Sequence, residues 1–149
     1  MKTLKTTIPT LSILFISFNA VSQELPVQVK ETFNEMYPDA VVKSSTLKNN
    51  DKYEVKFLDS EMVHKAYFAT DGTWLYKERL IAINDIAAPA LEAFKGSRWS
   101  GWKIERTEEI NSPEHQVLYV IKVRREDNVM FLHFLPDGTL QNASSRFVF

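Results

Sequence analysis

The chain has 149 residues, 44% hydrophobic and 25% charged, a balance that fits a folded soluble domain and excludes disorder, collagen and coiled coil. It contains no Cys, which rules out disulfides, thiolate zinc sites, iron–sulfur clusters and cysteine nucleophiles. Its 4 Gly are too few for a phosphate-cradling glycine loop as well as several turns, and its net charge of −1 gives no global attraction for nucleic acid or anionic membranes.

The N-terminus reads as an export signal. Lys2 and Lys5 supply a positive start, and an apolar run of about 11 residues follows from Ile8 to Phe18. Ala20 and Ser22 then stand three and one residues before a cut ahead of Gln23, the three-part secretory pattern. The run is too short for a spanning helix, which needs about 20 residues. Removal of residues 1–22 shifts the net charge to −3, since Lys2 and Lys5 leave with them. The expected location is the periplasm or, alternatively, the medium, with no membrane attachment of the mature form.

Residues 23–83 predict a helix followed by four strands. Leu25, Val29, Phe33, Met36 and Tyr37 recur at helical spacing, Pro26 suits the first turn and Pro38 ends the helix. Strands are expected at about 40–48, 52–58, 62–70 and 73–83, broken by Asn49-Asn50-Asp51, Asp59-Ser60-Glu61 and Asp71-Gly72.

Residues 84–149 repeat that order. Ile86, Ala90, Ala93 and Phe94 form the second helical stripe, with Gly96 as the stop and the start at either Asp85 or Ala88, because Pro89 is awkward inside a helix. Strands follow at about 102–110, 116–125, 129–135 and 139–147. Phe68-x-x-Asp71-Gly72-Thr73-Trp74 and Phe134-x-x-Asp137-Gly138-Thr139-Leu140 lie 66 residues apart, as do Tyr53-x-Val55-x-Phe57 and Tyr119-x-Ile121-x-Val123. The expected fold is α+β, one domain made of a tandem repeat of a helix plus a four-stranded antiparallel meander, with the helices on one face.

The Asp-Gly turns assign the faces. A three-residue loop with Gly in the left-handed position pairs Phe134 with Leu140 and Phe68 with Trp74, then Ala66 with Tyr76 and His64 with Glu78. Ala66, Phe68, Trp74, Tyr76, Leu132, Phe134 and Leu140 thereby fall on the helix-covered face. By alternation the open face carries Lys56, Lys65, Tyr67, Leu75, Lys77 and Arg79, then Val120, Lys122, Arg124, Phe131 and His133. A basic and aromatic face on an acidic domain fits a protein partner with an acidic surface, against the plainer reading of a solvated face kept basic to prevent aggregation.

No set of residues points to catalysis or to a cofactor. His64, His115 and His133 lack metal-ligand spacing, and Ser60, Ser97 and Ser100 have no nucleophile elbow. Glu108 and Glu109 are adjacent on one strand and so point apart. Trp99 and Trp102 are core anchors, or else guard a pocket. Asn142-Ala143-Ser144 matches a glycosylation sequon, which the bacterial character of the export signal discounts.

Phe33-x-x-x-Tyr37-Pro38-x-Ala40, Tyr53-x-Val55-x-Phe57 and Phe68-x-x-Asp71-Gly72-x-Trp74 resemble the PepSY-like proteins, also called β-lactamase-inhibitor-like, which are small exported proteins of Gram-negative bacteria. The resemblance spans nearly the whole mature chain. It implies tandem helix-plus-four-strand units, a periplasmic location and a role in modulating a protein partner, and it supplies no catalytic residues. The second half departs from it, with Arg98-Trp99-Ser100-Gly101-Trp102 where the first has Tyr-Pro-x-Ala. The leading expectation is a non-enzymatic periplasmic binding module, an inhibitor or modulator, that uses the open sheet face. The alternative is a carrier of a small apolar ligand, with its pocket between helices and sheet.

Overall fold

Val29 and Phe33 sit one turn apart, and their burial turns the first helix toward the sheet. In the computed structural model, which describes residues 24–147, this helix is α1 (Val27–Met36), with Pro26 as its N-cap and Tyr37 as its C-cap. The Tyr37 N–H donates to the Phe33 carbonyl at 2.9 Å, and Pro38 prevents further propagation. Four strands follow: β1 (Val41–Lys48), β2 (Lys52–Asp59), β3 (Met62–Ala69) and β4 (Trp74–Leu80). After a short 3-10 turn at Ile83–Asp85 comes α2 (Ala88–Lys95), then β5 (Lys103–Asn111), β6 (Leu118–Arg125), β7 (Asn128–Phe134) and β8 (Leu140–Ser144). Of the two expected starts for the second helix, Ala88 is the observed one. Pro89 thus falls in the first turn, where its missing N–H is not needed. The proposed export signal, 1–22, lies outside the described residues.

All eight strands form one antiparallel sheet in the order β1 to β8. The two sets of four meet where β4 pairs with β5, from Lys77 opposite Asn111 to Leu80 opposite Glu108. Directly paired residues share a face, so faces can be traced across the sheet. Ala66 pairs with Lys77, Lys77 with Asn111, and two and four residues before Asn111 stand Glu109 and Thr107. Thr107 pairs with Ile121 and Ile121 with Leu132. Ala66 packs under α1 and both Ile121 and Leu132 pack under α2, so the two helices cover the same face.

Each helix buries an apolar cluster against that face. Val29 and Phe33 of α1 meet Val55, Phe57, Ala66 and Phe68, with Phe33 edge-on to Phe57 at 5.1 Å. Ile86, Ala90 and Phe94 meet Tyr119, Ile121, Val123, Leu132 and Phe134, and Trp99 closes the end. Trp102 packs partly buried against the same cluster. Each Asp-Gly turn is the expected bulged type: Gly72 has φ +94° and Gly138 φ +93°, and the Ala69 and Leu135 N–H groups donate to the Thr73 and Thr139 carbonyls. Each turn also seats against the first turn of a helix. A Cβ on Gly72 would fall 2.8 Å from Gln28 Cβ, and one on Gly138 would fall 2.8 Å from the Pro89 carbonyl oxygen.

The register departs from expectation one residue beyond each turn. Phe68 pairs with Trp74 and Phe134 with Leu140, but Tyr67 then pairs with Tyr76 and His133 with Asn142. Leu75 and Gln141 are extra residues, β-bulges that slip everything after them by one. Ala66 therefore faces Lys77 and not Tyr76, and Lys65, not His64, faces Glu78. Face assignments change along β4 from Tyr76 onward. Tyr76, expected in the helix-side core, joins the open face. Lys77 and Arg79, expected on the open face, point to the helix side, where Lys77 lies over the Tyr37 ring at 5.8 Å. Leu140, expected as core, lies on strand β8 at the sheet's edge and stays 40% exposed. Bulges also interrupt β1 at Lys43 and β5 at Glu105.

Candidate binding face

The helix-free face is not a plain solvated surface. Tyr67, Tyr76, Ile110, Leu118 and Val120 form a buried cluster at its centre, with Leu75 and Phe131 packed against them. Tyr67 and Tyr76 stack at 4.3 Å, and the Lys52 ammonium lies over both rings at 5.4 and 5.2 Å. The bulge makes this possible, because it turns Leu75 and Tyr76 to the same side. Of the residues expected here, Lys65, Tyr67, Leu75, Lys122, Arg124, Phe131 and His133 are brought together. Lys77 and Arg79 are not.

Buried carboxylates are the feature that alternation of cations did not reveal. The Tyr67 hydroxyl lies 2.8 Å from Glu54 Oε2 and 3.0 Å from Glu78 Oε1. One O–H proton serves one of these contacts at a time, so Lys65 compensates the pair, 3.1 Å from Glu78 and 3.9 Å from Glu54. Burial, then Glu78, pushes the Tyr67 hydroxyl far above its usual range. Glu108 accepts from Arg106 Nε at 3.1 Å through Oε1, while its Oε2 is buried with no hydrogen-bond partner among the described residues. Burial raises the Glu108 carboxyl pKa, and Glu78 raises it further. The bulged Glu105 pairs with Lys122 at 2.8 Å and with Arg124, which together hold its pKa down at about 2. Parity gave a signal for one of these: Glu54 stands two residues from Lys56.

Even so, the cations are in excess. Lys48, Lys52, Lys56, Lys65, Arg106, Lys122 and Arg124 outnumber Glu54, Glu78, Glu105 and Glu108 on this face.

Two cavities open on it. One, of about 300 Å³, lies over β2 to β5 with Lys56, Lys65, Glu78, Arg106 and Glu108 around it and Val63 and Leu80 along its apolar side, and Met62 and Arg79 reach it from the helix side. The other, of about 540 Å³, lies between Leu75, Tyr76, Leu118 and His133 on the sheet and the loop at Pro113 to His115. His133 is buried there beside Phe147, and its Nε2 has no hydrogen-bond partner among the described residues. Burial lowers its pKa, so the ring is held neutral.

On the helix side, between α1 and α2, Arg79 grips Glu109 through two hydrogen bonds of 3.1 and 2.7 Å. His64 stacks on Phe57 at 5.4 Å, its pKa lowered by burial and next by Lys77. No group of three or more His, Cys, Asp or Glu among the described residues is placed to hold a metal ion. No helix among them is long and apolar enough to cross a membrane.

Solved structures share this fold. A DUF2874 family protein from Bacteroides ovatus matches with a TM-score of 0.74 at 21% identity, over 83% of this chain and 89% of that one. A protein from Bacteroides eggerthii that carries a periplasmic designation matches at 0.70 and 20%, over 82% of this chain and 89% of that one. A BLIP-like protein from Bacteroides fragilis matches at 0.72 and 19%, over 83% and 88%. The fold is therefore BLIP-like, and at such identities the likeness reaches no further than the fold. No protein-family model matches the chain, and no curated protein does.

Proposed function

We propose that this chain is a non-enzymatic module that binds and modulates another exported protein through the helix-free face of its sheet. One contrast carries the reading: between helices and sheet lie two packed apolar clusters, whereas the opposite face holds an aromatic cluster flanked by two cavities. Buried aromatic anchors with pockets beside them are the usual source of affinity in a protein interface. The excess of cations there favours a partner with an acidic surface, since complementary charge speeds encounter. The apolar clusters packed beneath α1 and α2 weigh against a carrier with a pocket between helices and sheet.

The same reading includes export, through the signal-like residues 1–22, and membership of the PepSY-like proteins. It also takes the two helix-plus-four-strand halves as a duplicated unit. Bulges at Leu75 and Gln141, 66 residues apart, and the matched seating of Gly72 and Gly138 against α1 and α2 support the duplication.

The test is site-specific photocrosslinking in cells. A photoreactive residue at Phe131, on the helix-free face, should trap a protein. One at Glu92, on the exposed side of α2, should not. Equal trapping from both positions, or none from Phe131, would remove the proposal.

A further inference from the structure

The smaller cavity has a charge pattern that selects its occupant. Its floor is negative and buried: the side chains of Glu78 and Glu108 are 9% and 3% exposed. Its rim is positive and wet: those of Lys65 and Arg106 are 37% and 42% exposed, and Lys56 is exposed beside them. Arg79 also lines the cavity, 29% exposed, with its charge held by Glu109 on the helix side. Solvent and salt screen the rim charges over about 8 Å, while a buried carboxylate is screened much less. Near the floor the carboxylates therefore dominate, although cations outnumber them around the mouth. Each carboxylate already has one cation, Lys65 on Glu78 and Arg106 on Glu108. Yet Glu108 Oε2 faces no donor among the described residues. Along one side Met62, Val63 and Leu80 are exposed apolar groups, with the Met62 sulfur accepting from Arg79 Nη1 at 3.5 Å.

From this concentric pattern we infer that the cavity is a socket for one arginine side chain of the protein partner, carried on a segment whose flanking residues are acidic. The aliphatic stem lies along Met62, Val63 and Leu80, as long charged side chains do when they cover apolar surface. The guanidinium reaches the floor and donates to Glu108 Oε2. Its rigid fork has further N–H groups for Glu78, which the single compact charge of lysine supplies less well. The acidic neighbours meet Lys56, Lys65 and Arg106 at the rim. A volume of about 300 Å³ is at the lower limit for small-molecule sites, and it suits one side chain.

The inference depends on the protein-binding reading only for the source of the arginine, and its test needs no partner. The peptide Ac-Asp-Arg-Asp-NH2 is titrated into the protein, with methyl resonances of Met62, Val63 and Leu80 as the readout. Saturable shifts at these methyls are expected. The norleucine peptide Ac-Asp-Nle-Asp-NH2, which keeps the stem and flanks, should bind about 10–100-fold more weakly, the range for a hydrogen bond to a charged group. The charge-inverted Ac-Arg-Asp-Arg-NH2 should also be weaker, because its arginines meet the cationic rim. Glu108→Gln should bring the arginine peptide down to the level of the norleucine one. Equal binding of the arginine and norleucine peptides to the unmodified protein would overturn the socket, whatever the variant does. So would a Glu108→Gln protein that binds the arginine peptide undiminished. Either failure would leave the crosslinking result at Phe131 standing.

Discussion

Phe68 and Tyr67 are neighbours on one strand, and both are hidden from solvent, yet they are hidden by different means. Phe68 points to the helix side and packs among Phe33, Ala66 and Trp74, a layer whose contacts are apolar. Tyr67 points to the free side and sits between Glu54, Glu78 and Lys52, with no helix above it. Burial alone does not mark a structural core. Buried polar atoms without a partner among the described residues occur on both faces, at His64, Trp74 and Thr107 on the helix side and at Glu108 and His133 on the free side. What sets the free face apart is that carboxylates, Glu54, Glu78 and Glu108, are held there with no helix above them, and a buried charge is the costlier group to keep.

The largest expected effect breaks the helix side. Phe68→Ala removes a fully buried aromatic from the α1 layer and should cost about 3–5 kcal/mol, read by thermal or denaturant unfolding. Stability unchanged within error would mean that the helix-side layer is not the main core.

A smaller loss should come from the seat of α2. Gly138 has φ +93°, a region that disfavours any Cβ, and an added Cβ would stand 2.8 Å from the Pro89 carbonyl oxygen. The backbone strain alone costs about 1–3 kcal/mol. Gly138→Ala should therefore destabilise by at least that much in unfolding experiments. It should leave peptide binding at the smaller cavity unchanged in the folded fraction, because the change lies on the far half of the sheet. Parallel loss of stability and of binding would show that the two sides are not separable.

Much of this division is legible in the amino-acid order. The helical stripes, the turn residues and strict alternation place both helices, all eight strands and the α1 and α2 layers. Alternation fails at Leu75. The run Trp74-Leu75-Tyr76 has no Gly or Pro to announce a bulge, and a single slipped residue inverts every later position of β4. That one slip moved Tyr76 onto the free face and took Lys77 and Arg79 off it. The second half was read correctly at Val120, Lys122, Arg124, Phe131 and His133, because the bulge at Gln141 lies beyond them in β8. Glu108 escaped notice for another reason. Two adjacent glutamates on a strand look like solvated charges, and only the tertiary packing of β4 and β6 on either side reveals that one of them is buried.

Glu108 gives the smallest effect and the sharpest one, because its sign is opposite to the others. Burial, with Glu78 adding to it, raises the carboxyl pKa above its ordinary value of 4.5, against the pull of Arg106 and Lys65. A raised carboxyl favours the folded state only while protonated. The fold therefore carries no penalty below about pH 4.5 and acquires one as pH climbs through the folded-state value. Glu108→Gln keeps the shape and removes the titration. At pH 7 it should stabilise the protein by on the order of 1 kcal/mol, and the gain should fade as pH drops toward 4.5. Unfolding of both proteins across that pH range checks it. A variant less stable than the parent at pH 7 would make Glu108 an anchor for Arg106 and nothing more. A variant that is more stable, and also fails to hold the arginine peptide, identifies a carboxylate kept at the expense of stability because a ligand needs it.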